Sequence, residues 1–349
     1  MMTENISKTM DIAKGIGIIL MVIGHTSYLG YDFIYLFHMP LFFIISGFFF
    51  KPDNLLHKKS FVVKRMKRLY FPFVVWNILF LFLHNKLYDA GINVEYYYWK
   101  DYLYRLIKIF CFAGFEPFSR PLWFLKSLFI GSCVMLFVLL VTQKLPYKAW
   151  IRALVFFVLL VTGYILKIRY GAFPYDGHRE LMMPCLIYMG YMIHRRHLLD
   201  RPPRLSVAWI CLAILWICSR NFTFILAGAE IVNPILFLVI SFIGFYMVYA
   251  FSYWLQKWKY LARILMFIGK RTMPILILHL LVFKLLHWGL FAMGWQGREG
   301  LDQAYNGDAT YWLPYSLVGV ALPLALYQIY KKVGMLFSRL FAGVKDGVK

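Results

Sequence analysis

The sequence predicts an all-α integral membrane protein, a bundle of about ten transmembrane helices forming one domain over residues 1–349. Three observations predict it. The 349 residues are 61% hydrophobic and only 15% charged, a balance foreign to water-soluble domains. The apolar residues gather into runs, most of them close to the roughly 20 residues that cross a bilayer. The 38 Lys and Arg, set against 16 Asp and Glu, fall mainly between those runs. The runs lie near 12–29, 33–50, 69–87, 119–141, 152–167, 180–194, 205–219, 233–254, 272–291 and 313–330.

The first run, with its flanks, reads DIAKGIGIILMVIGH. Lys14 and His25 are eleven residues apart, which at about 100° per residue returns both to nearly the same helix face, about 16 Å apart. Asp11 shares that face. Gly15, Gly17 and Gly24 let another helix or a ligand approach closely. An ionisable side chain inside a span is expensive and marks a functional site by default. Imidazole is the natural general base near neutral pH, so His25 is the candidate base; the alternative is a histidine satisfied by a neighbouring helix. Lys14 either snorkels at the helix entrance or pairs with a phosphate.

The second run carries His38-Met39-Pro40. His38 either builds the mouth of the site or hydrogen-bonds across the hairpin. Ser46-Gly47 reads as a close-packing contact, because no general base stands beside the serine. The third run is preceded by KKSFVVKRMKR. Arg65 and Arg68, one helical turn apart, either anchor topology or grip phosphate with their planar forks.

The connection 88–118 is the longest on its side. Its YYYW at 96–99 suits an interfacial aromatic belt. Tyr102 to Phe112 alternates basic and apolar residues at helical spacing, fitting a helix flat on the membrane or one packed on the bundle. Trp123 lies in the PLWFL element at 121–125 and is either site wall or belt. Arg120 and Lys126 flank it and suit an anionic lipid-linked substrate or lipid headgroups equally. His279, in the ninth run, has a structural or a site role. His287 and Lys284 are assigned none.

The positive-inside rule orients the chain. With the N-terminus in the cytoplasm, the inner segments hold 26 of the 38 Lys and Arg, and both termini are cytoplasmic. Five scattered cysteines without CxxC spacing argue against a disulfide framework or zinc site. The first run lacks a small-residue cleavage site, so a retained helix is expected. The net charge of +22 is dispersed and comes with no nucleic-acid signature, so no nucleic-acid partner is expected. Gly-rich nucleotide loops, HExxH and GxSxG are absent from the sequence, and no metal is expected.

DIAKGIGIILMVIGH followed by FHMPLFFIISGFF resembles the acyltransferase family 3 membrane proteins, which carry a basic residue ahead of a histidine in the first helix. Lys14 and His25 match that pair. The wording is most similar to the branch named after fucose 4-O-acetylase. KRMKRLYFP (with Arg65, Arg68 and Pro72), PLWFL and IGKRTMPILILH ending at His279 extend the resemblance over most of the chain. It implies O-acyl transfer from cytoplasmic acyl-CoA, usually acetyl-CoA, to a sugar hydroxyl of a cell-surface or lipid-linked glycan, in a bacterial inner membrane.

On that implication His25 is catalytic. Lys14, Arg65 and Arg68 hold the donor, and Asp11, His38, Trp123 and His279 line the site. The donor is a substrate, and no permanently bound cofactor is expected. The rival class is a transporter or flippase of a glycan lipid, which the lack of an inverted repeat disfavours. A non-catalytic scaffold is the third reading, disfavoured by the His25–Lys14 pair.

Overall fold

A computed structural model describes residues 2–26, 30–171, 173–295, 297 and 311–346. Among the described residues the regular elements are helical, without a β-strand. Residues 27–29, which end the first expected run, and most of the 292–312 connection lie outside them.

Helix α1 (Met2–Gly24) is followed by a broken second run, α2 (Tyr31–Tyr35) and α3 (His38–Phe48). Pro40 explains the break. It cannot donate to the carbonyl of Leu36, four residues back, and its ring excludes that carbonyl from a helical turn. The helix restarts at His38, with Pro40 in its first turn where the missing N–H costs nothing.

Next come α4 (Asp53–Leu56) and α5 (Lys58–Arg65). A five-residue π turn, Met66–Tyr70, joins α5 to α6 (Phe71–Asp89). Pro72 would clash with the carbonyl of Arg68 in a regular helix. The widened turn relieves this, and the Phe71 N–H reaches back to the Met66 carbonyl. The basic stretch expected as an inner loop is therefore helical, continuous with the span over Lys58–Asp89.

Helices α7 (Trp99–Phe110) and α8 (Trp123–Val141) follow. Helix α7 packs on α6 through Tyr102, Leu106 and Ile109, while Leu103, Ile107 and Phe110 stay exposed. It thus packs on the bundle and also presents an apolar stripe outward. The chain continues through α9 (Lys148–Tyr170), α10 (Gly177–Arg195), α11 (Leu205–Ser219), α12 (Pro234–Leu255), α13 (Lys259–Gly269), α14 (Thr272–Ala292) and α15 (Trp312–Asp346).

Seven helical segments are long and apolar enough to cross a membrane among the described residues: Tyr31–Phe48, Lys58–Asp89, Pro117–Val141, Lys148–Tyr170, Pro234–Leu255, Thr272–Ala292 and Trp312–Val333. They correspond to seven of the ten expected runs and support a multi-pass membrane protein. The other three runs are helical too. Of these, α1 carries Lys8, Asp11 and Lys14, α10 carries Arg179, Glu180 and Arg195, and α11 has 15 residues.

Two glycine crossings set the frame of the site. A Cβ on Gly47 would fall on the carbonyl of Ile187, and one on Gly190 on the carbonyl of Ile44. Helices α3 and α10 therefore touch backbone to backbone, and Ser46-Gly47 is a packing element. Likewise Gly15 meets the carbonyl of Leu265 and Gly269 that of Asp11, which clamps α13 across the middle of α1.

Candidate active site

Three helices bring His25, His38 and His279 together. The His25 and His279 rings meet edge to face, centroids 5.0 Å apart at 74°. Tyr35 stands between His25 and His38, its ring 6.5 Å and 5.1 Å from theirs. Its hydroxyl donates to the carbonyl of Gly24 at 2.9 Å, which locks the end of α1 to α2.

All three imidazoles are tethered alike. His25 Nδ1 lies 2.8 Å from the Met21 carbonyl, His38 Nδ1 2.8 Å from that of Ile34, and His279 Nδ1 2.9 Å from that of Ile275. A carbonyl only accepts, so each Nδ1 carries the proton and each neutral ring keeps its lone pair on Nε2. Histidine four residues past a backbone carbonyl, within a helix turn or across the α2–α3 break, is thus held in the tautomer a base needs. His279 Nε2 is buried and has no hydrogen-bond partner among the described residues.

His25 and His38 open onto a chamber of about 90 Å³, which Tyr35, Met39, Trp123 and the segment Phe224–Ala227 also line. Trp123 is therefore a wall of this chamber. The Arg179 guanidinium lies over its ring, 4.9 Å from the centroid, and donates to the Ala227 carbonyl at 2.6 Å. One buried arginine thereby ties two walls together. Arg179 is itself held by Asp176 at 3.0 Å and Glu180 at 3.1 Å. Lys126, buried beside them, bonds the Tyr175 carbonyl at 2.6 Å.

A larger cavity of about 400 Å³ lies along the second half of α1, from Lys14 to Met21. Lys14, Lys51, Lys64, Arg65 and Arg68 line it, and among the described residues no carboxylate does. Arg65 donates to Ser46 Oγ at 3.1 Å. Deeper in, Met21, Met39, Phe42, Phe124 and Leu276 make the lining apolar. Met39 lines both this cavity and the histidine chamber. A cationic mouth with an apolar throat suits a long ligand with a polyanionic head and a thin, uncharged end.

Of the residues singled out from the sequence, Lys14, Arg65 and Arg68 meet in the large cavity, while His25, His38 and Trp123 meet in the small chamber. His279 lines neither and reaches the site through His25. Asp11 also lines neither cavity; it pairs with Lys14 at 2.7 Å and with Lys270 at 3.8 Å. Lys51, Lys64 and Arg179 do not stand out in the sequence. Their signal in the sequence is weak, being extra members of basic clusters in the first two cases and a charged pair at a helix start in the third.

The acyltransferase domain family Acyl_transf_3 matches residues 8–328. The chain belongs to this family. No curated protein and no solved structure matches it. As an acyltransferase of 349 residues matched from residue 8 to residue 328, it has both cavities and all three histidines within the family domain.

Proposed function

We propose that this acyltransferase moves an acyl group, acetyl in the first instance, from acyl-CoA to a hydroxyl of a cell-surface or lipid-linked glycan, with His25 as the base. The observation that carries the reading is Met39, shared by a cationic cavity and a histidine chamber. The nucleotide end of the donor rests on Lys14, Arg65 and Arg68, joined by Lys51 and Lys64. Its thioester reaches past Met39 toward His25. His25 Nε2 takes the acceptor's hydroxyl proton, the oxygen attacks the thioester carbonyl, the carbon–sulfur bond breaks, and the CoA thiolate receives the proton. Transfer through a transient acyl-His25 is the variant of the same scheme. The apolar throat keeps water from the thioester.

This reading includes a span count of about ten, with α1, α10 and α11 crossing beside the seven long helices. It includes the fucose 4-O-acetylase-like branch, a bacterial inner membrane, and both termini in the cytoplasm. Lys and Arg enrichment on one side supports the orientation. The deciding experiment has two parts. Purified protein given acetyl-CoA should release free CoA only when acceptor glycan is added. Mass spectrometry of surface glycans from cells lacking the gene should show an acetyl mass lost. CoA release that ignores acceptor would reduce the activity to thioester hydrolysis and end the glycan reading.

A further inference from the structure

At the end of the bundle away from the cationic cavity lies another cavity of about 400 Å³. Helix α1 runs from Lys14 toward His25, and the π turn that carries Arg68 leads into α6, which runs past His84 to Asp89. Arg105 of α7, Arg120 just before α8 and Lys284 of α14 bring three cations to its wall. Glu95 is the lining carboxylate; it is 76% exposed and stands 3.8 Å from Arg105. Arg120 makes no ion pair among the described residues.

The cavity is preformed. Asn85 bonds both the N–H and the carbonyl of Tyr97, at 2.9 and 2.8 Å. His84 bridges the buried Glu116 carboxylate and the Glu95 carbonyl, each at 3.0 Å. The Arg105 guanidinium lies over the Tyr97 ring, 4.0 Å from its centroid. Burial first, and the Glu116 carboxylate next, push the Tyr97 phenol up, so it stays neutral. A neighbouring cavity of about 280 Å³ shares Arg105 and Phe115 and adds Lys108, together with the carboxylates of Glu116, 3.8 Å from Arg105, and Asp176, which Arg179 holds. The groove is therefore longer than one small anion needs. Planar polar groups on a rigid floor suit sugar hydroxyls, and an unpaired arginine beside them suits a negative charge.

We propose that this groove binds an anionic unit of the acceptor glycan, a sugar bearing phosphate or carboxylate, with Arg120 and Arg105 on the charge. The proposal rests on the glycan-acceptor reading and narrows it: the acceptor is an acidic glycan.

The test reads binding, not turnover. The full-length protein in phosphatidylcholine nanodiscs is titrated with glucose 1-phosphate, glucuronate and glucose. The two anions are expected to bind at least about tenfold more tightly than glucose, the usual worth of one charge-assisted contact. Arg120→Glu should remove that preference while CoA affinity at the cationic cavity stays unchanged, which also reports an intact fold. Equal binding of glucose and its phosphate, no binding of either anion, or an unaffected Arg120→Glu protein would overturn the proposal. Exchanging phosphatidylcholine for phosphatidylglycerol should leave the affinity for glucose 1-phosphate within a few-fold. Strong competition by that lipid would assign the groove to headgroups instead. Acceptor-dependent CoA release with a neutral glycan would leave the enzyme reading intact and sink this groove alone. Anion binding without any acyl transfer would do the reverse.

Discussion

The imidazoles of His279 and His25 cross at 74° with 5.0 Å between ring centroids, and the buried Nε2 of His279 has no partner among the described residues. Both rings have Nδ1 tied to a backbone carbonyl. Two neutral imidazoles held this way present lone pairs, and an added proton is what lets one donate to another acceptor. In the proposed mechanism His25 is the ring that takes the acceptor's proton, and His279 is the neighbour placed to respond to it.

His25→Ala should leave the protein folded and inserted, with acyl-CoA binding retained, because the cations sit elsewhere. Transfer should fall by roughly 10²–10⁴-fold, the usual worth of a positioned acid–base group. His25→Gln should do little better, since an amide takes no proton at neutral pH. Acceptor-dependent CoA release at matched expression is the readout, and activity within a few-fold of wild type would retire His25 as the base.

His279→Gln should lower kcat by at least about tenfold if the second imidazole steadies the proton on His25. It should leave the KM for acyl-CoA unchanged, because His279 does not line the donor cavity. A raised donor KM with normal kcat would instead give His279 a packing role.

Removing Arg65 and Arg68 together should raise the donor KM while kcat at saturating donor holds, because phosphate contacts act on ground and transition states alike. Arg68→Ala alone is the cleaner probe, since Arg65 also braces Ser46 and lies over Phe61. A charge-assisted hydrogen bond of about 1.5–3 kcal/mol corresponds to a KM rise of roughly 10- to 100-fold. An unchanged KM would confine both arginines to anchoring.

Gly47→Ala should destabilise the protein by about 1–3 kcal/mol, the usual range for overpacking, because the new methyl meets the Ile187 carbonyl. Thermal unfolding in detergent should show it. Ser46→Ala should be far milder, and should not abolish transfer. A melting temperature for Gly47→Ala equal to that of wild type would refute the backbone contact.

Cys111 is exposed on the connection between α7 and α8. In the proposed orientation, a membrane-impermeant maleimide added to intact cells should label it, and Cys111→Ser should remove the signal. Leu56→Cys, introduced into Cys111→Ser and 75% exposed in the parent, should label only after permeabilisation. Labelling of both from outside would overturn the topology.

Much of this arrangement was legible because it is local. Periodicity alone puts Lys14 and His25 on one face; the second run reads as continuous from 33 to 50, and the break ahead of Pro40 appears only in the structure. The basic stretch before Pro72 was visible, but its helical form was not: a run of charges reads as a loop until the π turn made by Pro72 joins it to α6. The chamber wall was the least visible part. Trp123 was noticed, yet Arg179, which holds it, comes from 56 residues further along the chain, and Phe224–Ala227 carries no motif. Asp11 shows the opposite limit. Helical spacing puts it beside Lys14, with which it pairs three residues away, but its second partner, Lys270, is revealed only by long-range packing.

Met39, the wall common to both cavities, has an electrical consequence. An imidazole that water can reach from both faces of a bilayer would shuttle protons and discharge the gradient the cell maintains. The proposed reaction gives no compensation for such a leak. The acyl group leaves one compartment as a proton enters it, so turnover is electroneutral and the membrane potential does no work on it. The thioether of Met39 offers water no strong hydrogen bond and interrupts the path. On this view residue 39 is an insulator first, and a serine or aspartate there would open a proton leak whether or not acyl transfer survived.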